Sequence, residues 1–120
     1  MSESIIPSPS RGELWLVALG AARKGELGKN RPCVVVSIDD IRTGSPYDHI
    51  TVVPLSSSRP VKLMQPLVPA GNGLDHDSVA VCDFPTAAVP SRFLRYLGSV
   101  SDKTLNDIID ALALIQGWDD

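Results

Sequence analysis

Gly28-Lys29-Asn30-Arg31-Pro32-Cys33-Val34-Val35-Val36-Ser37 runs a basic loop straight into an arginine, a proline and a β-branched stretch. Proline fixes its own φ and pushes the residue before it toward extended geometry. Arg31 is therefore expected in extended backbone at the mouth of a buried strand, aimed by a stiff joint. A guanidinium held that way can grip a phosphate or a carboxylate through two parallel hydrogen bonds. Residues 32–38 are apolar on both faces and predict a central strand.

The segments on either side read as short strands broken by turns. Residues 13–19 alternate around Leu14-Trp15-Leu16-Val17 and predict a first strand. Residues 20–30 form a loop longer than a hairpin needs, and such loops often carry function. A third strand is expected over residues 49–55, followed by Ser56-Ser57-Ser58-Arg59-Pro60. Residues 62–69 predict a weak fourth strand that Pro66 confines to an edge. A fifth follows over 78–84, with a short addition over 86–89. Residues 92–99 read as strand or short helix, with strand preferred because Gly98 follows closely. Ser101 is a good helix N-cap with Asp102 at the positive end of the dipole. Leu105, Ile108, Ile109, Leu112 and Ile115 then repeat with helical period, and Gly117 stops the helix. Five or six short strands with one amphipathic C-terminal helix predict a mainly β fold, a small barrel covered by that helix. Residues 1–10, with Pro7 and Pro9 among serines, predict a flexible arm before one domain over 11–118.

Composition supports this and bounds function. The chain has 120 residues, enough for one core, with 43% hydrophobic and 21% charged residues. Two tryptophans, two tyrosines and two phenylalanines leave the core to Val, Leu and Ile. Ten prolines and nine glycines favour short strands over a helical bundle. A net charge of −3 argues against coating nucleic acid by bulk electrostatics, while leaving room for a small local site. Residues 1–62 carry eight Lys/Arg against six Asp/Glu, and 101–120 one lysine against five aspartates. Arg23, Lys24, Lys29 and Arg31 cluster around Glu26, either as a solvated face or as a ligand site. The N-terminus lacks a signal-peptide pattern and no apolar run is long enough to span a membrane, so the cytoplasm is the expected location.

Other reactive residue types carry less. Cys33 and Cys82 sit in apolar runs without metal spacing and read as buried core residues, with a disulfide left open. His49 opens the third strand at the end away from Ser56 and reads as a surface histidine. His76 between Asp75 and Asp77 reads as a turn ahead of a metal site. Ser56-Ser57-Ser58 taken alone is a polar turn. Asp83 is equally a structural ion pair or a reader of base edges. Arg92 and Arg95 are surface charges or a phosphate track. Trp15 reads as core and Trp118 as packing for the helix end, with base stacking as their other use.

Arg11-Gly12-Glu13-Leu14-Trp15-Leu16-Val17, Lys24-Gly25-Glu26 and Arg31-Pro32-Cys33-Val34-Val35-Val36-Ser37 together resemble the opening of the MazF/PemK toxin family. The resemblance continues through Ile50-Thr51-Val52-Val53-Pro54-Leu55-Ser56, Asp77-Ser78-Val79-Ala80-Val81-Cys82-Asp83 and Leu97-Gly98-Ser99-Val100-Ser101. It spans roughly residues 11–117 in the family's order. It implies an SH3-like half-open barrel, a homodimer, and a toxin of a type II toxin–antitoxin system silenced by a cognate antitoxin. The implied activity is metal-free, sequence-specific cleavage of single-stranded RNA by 2′-OH attack, leaving 2′,3′-cyclic phosphate and 5′-OH ends. The other class of function on related barrels is non-catalytic binding of a protein target such as DNA gyrase.

The family's working arginine and hydroxyl fall on Arg31 and Ser56, with serine where threonine is common. RNA contacts are expected from Lys24, Glu26, Lys29, Asn30, Ser57, Arg59, Asp83 and Arg92, and no cofactor or metal is implied. Phe84 stands where the family often has glutamine. The implied chemistry agrees with the residues. In-line attack passes through a doubly charged phosphorane, which needs positive charge at the non-bridging oxygens. Arg31 supplies that charge and Ser56 a directed hydrogen bond.

Overall fold

The computed structural model describes residues 7–21 and 29–117. Among these residues seven strands and one α-helix follow in order: β1 (Glu13–Ala18), β2 (Asn30–Val35), β3 (Ile50–Ser56), β4 (Leu67–Val68), β5 (Ser78–Ala80), β6 (Thr86–Ala88), β7 (Phe93–Ser99) and α1 (Asp102–Ile115). All pairs are antiparallel. The path across the sheet is β4-β5-β3-β2-β1-β7, with β6 on β3 off this path. On the edge away from β2, β3 is shared between two partners. Its first residues pair with β6, and Leu55 and Ser56 pair with Ala80 and Val79 of β5.

Side chains alternate across the sheet and so divide the core in two. Leu14, Val34, Val53 and Leu55 pack on the helix side, where Ile108 and Ala111 of α1 reach them. Val17, Cys33, Val35, Val52 and Phe93 form the second layer, covered by Trp15. Trp15 meets Phe93 and Tyr96 edge-on at centroid distances of 5.8 and 5.7 Å, so it is a packing residue. The helix starts where its cap predicts: Ser101 Oγ accepts the Thr104 N–H at 3.1 Å.

The sheet curls into a half-open barrel because its two far ends meet. A Cβ built on Gly73 would lie 1.9 Å from the Leu97 carbonyl oxygen, and one on Gly98 would lie 1.8 Å from the Asn72 oxygen. Only residues without a side chain allow that approach. The loop between β4 and β5 is thereby pressed onto β7.

Several expected boundaries move. β2 begins at Asn30 rather than residue 32, because Asn30 and Arg31 already pair with Ala18 and Val17. Arg31 therefore lies inside the strand and not at its mouth. The fourth strand shrinks to two residues on the sheet edge, since Lys62 and Gln65 close a tight loop on each other instead. β5 stops at Ala80 because Phe84 N–H bonds back to the Val81 carbonyl at 3.0 Å and turns the chain. Residues 93–99 are strand, as preferred. Residues 7–10 are tied down rather than loose: Pro9 is fully buried and its carbonyl accepts from Arg42, which also reaches Ser8 Oγ at 3.1 Å.

Candidate active site

Antiparallel pairing brings the end of β1, the start of β2 and the end of β3 to one edge of the sheet. The β2–β3 register ends at Cys33 opposite Pro54. Two residues further along each strand stand Arg31 and Ser56, on the same face by alternation. Lys29 closes the loop onto this edge, its carbonyl accepting the Leu19 N–H at 2.8 Å and its own N–H donating to Gly20. Its φ of 64° is left-handed.

Ser56 is buried, with 3% of its surface exposed. Its Oγ accepts the Ser58 N–H at 3.3 Å and lies 3.2 Å from Ser58 Oγ. The amide occupies one lone pair of this oxygen, and either of the two hydroxyls can donate to the other. Arg31 is half-buried, and its charge is felt on the Cys33 side of the sheet. Burial pushes the Cys33 thiol up to about 12 against the lowering pull of Arg31. Cys82, also buried, is likewise pushed up to about 12, chiefly by desolvation and further by Asp83. Both thiols are free, so the open disulfide does not form.

Two cavities border this edge. The larger, of about 260 Å³, is floored by Leu16, Pro32, Leu55 and Leu97 and rimmed by Arg31, Ser57, His76 and Arg95. The smaller, of about 160 Å³, has Ser56, Arg59 and Asp77 in its wall. Ser57 and Ser78 line both, so the two adjoin at the end of β3. Arg31 and Ser57 thus line one cavity, and Ser56, Ser57 and Arg59 the one beside it.

A model of PemK-like, MazF-like toxins of type II toxin–antitoxin systems matches residues 10–116. The chain belongs to this toxin family. Endoribonuclease MazF9 of Mycobacterium tuberculosis (strain ATCC 25618 / H37Rv) is 38% identical over 109 residues, 87% of this chain and 92% of that protein. MazF from Deinococcus radiodurans shares the fold with a TM-score of 0.77 at 19% identity, covering 92% of this chain and 98% of its own. A mycobacterial endoribonuclease in complex with its cognate antitoxin gives a TM-score of 0.74 at 22% identity, covering 92% and 97%. The MazF-like half-barrel is therefore the scaffold on which the edge is built.

The remaining predicted residues scatter. Asn30 and Lys29 lie at the same edge, one strand from Arg92, whose Nη1 donates to the Ala18 carbonyl at 3.2 Å. Asp83 stands apart on the turn after β5, where Gln65 Nε2 contacts it at 3.5 Å. Arg23, Lys24, Glu26 and Trp118 lie outside the described residues. His49 is exposed just before β3, far from Ser56. Among the described residues no group of three His, Cys, Asp or Glu side chains is placed to hold a metal ion. No helix among them is long and apolar enough to cross a membrane.

Arg95 and His76, read from the sequence as a surface charge or phosphate track and as a turn, both line the larger cavity. Alternation with Leu97 along β7 would have set Arg95 facing the same cavity. Nothing in the sequence shows that residues 71–77 fold onto β7, so the place of His76 was not readable.

Proposed function

We propose that this MazF-like toxin cleaves single-stranded RNA at short sequences without a metal, with Arg31 and Ser56 as its catalytic residues. The placement of these two residues on one face of the same sheet edge, each two positions beyond the Cys33–Pro54 pair, carries the reading. The 38% identity to an endoribonuclease over most of the chain supports it. The 2′-OH attacks the adjacent phosphorus, the P–O5′ bond breaks, and the products are a 2′,3′-cyclic phosphate and a 5′-OH. Charge develops on the non-bridging oxygens, where the Arg31 guanidinium and the Ser56 O–H stabilise it. Arginine stays protonated, so Arg31 is not a simple base. Lys29, Asn30, Ser57, Arg59 and Arg92 line the approach, and the expected contacts from Lys24 and Glu26 fall outside the described residues. A contact from Asp83 would fall on a separate stretch of RNA.

A cognate antitoxin is expected to lay an acidic, partly hydrophobic segment along the same basic loop and compete with RNA. A fluorescence titration showing both bound without mutual weakening would remove that element. A second copy is expected on the surface where Val61, Leu63 and Leu67 lie exposed beside α1, Leu63 by 75%.

Purified protein incubated with RNA and EDTA should give 5′-hydroxyl fragments. Arg31→Ala should slow cleavage by about 100- to 1,000-fold, the cost of removing one oxyanion donor. Undiminished cutting by that variant removes Arg31 from the mechanism. Intact RNA alongside inhibited gyrase supercoiling would favour the binding function instead.

A further inference from the structure

We propose that the larger cavity is a nucleobase subsite, receiving one base of the RNA next to the phosphate held at Arg31. This rests on the RNA-cleaving reading above and specifies what sets its sequence choice.

The cavity has the chemistry of a base pocket. Leu55 and Leu74 are buried in its floor, with Leu16, Pro32 and Leu97 half-buried around them. Such a floor suits the face of a planar ring, and binding sites of this kind pair an apolar body with a few convergent polar groups. Unstacked bases of single-stranded RNA are read in that way, by packing on the ring and hydrogen bonds to its edges. Arg95 and His76 offer donors at the rim and Asp75 an acceptor. None of these three side chains makes a hydrogen bond or ion pair with a described residue, so their polar capacity is open to a ligand.

The wall is built, not incidental. Gly73 and Gly98 let the loop cross β7 at backbone contact, and this crossing is what sets residues 74–76 facing Leu97 and Arg95. Arg31 borders the cavity at the sheet edge, so a nucleotide whose phosphate lies at Arg31 has its base within reach of the floor. The volume of about 260 Å³ admits one base and not a paired stem.

The test is deep sequencing of 5′ ends from a randomised RNA pool cut by wild type, Arg95→Ala and His76→Ala, beside their melting curves. Both side chains are exposed, so both variants should melt as wild type does. Each should lower cleavage of the preferred sequence by about 10- to 100-fold and flatten preference at one nucleotide position beside the cut. An RNA with an abasic ribose at that position should erase the difference between Arg95→Ala and wild type. Identical sequence profiles for all three proteins overturn the subsite. So does an unchanged profile with weakened antitoxin binding, which would give the cavity to the antitoxin. A wild type that cuts nothing is a separate result: it removes the cleavage reading on which the subsite depends.

Discussion

Gly98→Ala isolates the contact that curls the sheet. Gly98 has no positive φ, so alanine fits its backbone and by itself would stabilise the fold by about 0.4–1 kcal/mol through the unfolded chain. The new Cβ, however, would stand 1.8 Å from the Asn72 carbonyl oxygen and 2.8 Å from its carbon. A carbon–oxygen contact needs about 3.3 Å, so the loop must withdraw by about 1.5 Å. The obstacle is backbone, which cannot rotate away as a side-chain tip can. Overpacking of this kind costs about 1–3 kcal/mol and outweighs the entropic gain. The expected fall in melting temperature is about 3–10 °C, read by circular dichroism. Gly117→Ala is the control: φ is +74° with nothing within 4 Å, so it costs about 1–2 kcal/mol at the helix end and leaves the cavity alone. Gly98→Ala should also disturb cleavage beyond what Gly117→Ala does, because residues 74–76 shift with the loop. A Gly98→Ala protein melting within about 1 °C of wild type would refute the backbone clamp.

Three further outcomes follow from the rest of the molecule. Ser101→Ala removes the acceptor for the Thr104 N–H and should cost about 1 kcal/mol, a fall of about 3–6 °C in melting temperature. With both thiols pushed up to about 12, Cys33 and Cys82 should resist a thiol reagent at pH 8 until the protein unfolds, and immediate labelling of either would refute their burial. Asp48 accepts from Thr43 Oγ1 at 2.7 Å, with backbone N–H bonds from Thr43 and Gly44, and these bonds hold its carboxyl below the usual range. Its contribution is therefore complete above the ordinary aspartate range and is lost only as pH falls through the depressed value. Amide exchange at residues 43 and 44 should accelerate in that acid window in wild type, and Asp48→Asn should abolish the dependence.

Local rules explain which parts of the fold could be read in advance. The helix was legible to its cap because Ser101, Asp102 and a 3.6-residue apolar period all point the same way. β3 was legible from its β-branched run Ile50-Thr51-Val52-Val53, and β7 only as a preference for strand over a short helix ahead of Gly98. The strand ends were not, because they depend on partners: β2 starts two residues early only because β1 extends to Ala18 and offers Asn30 a mate. The short β4 and β5 depend on each other in the same way, and no stretch of two or three residues announces its own pairing.

The site divides along the same line. Pro32 correctly marked Arg31 as an extended, positioned arginine. What it could not mark is the neighbour, since Arg31 and Ser56 come to the same sheet edge only through a register that ends at Cys33 and Pro54. The cavity beside them is one step further removed, for its wall comes from a loop and a strand held by two glycines distant in sequence. That ordering bears on how the site can vary. On the proposed mechanism the anion grip is carried by two side chains fixed to paired strands, where a shift would break the core beneath. The rim is carried by a loop and an exposed strand position, where Asp75, His76 and Arg95 can change without unmaking a hydrogen bond. A fold arranged in this way can keep one reaction while changing the base it reads.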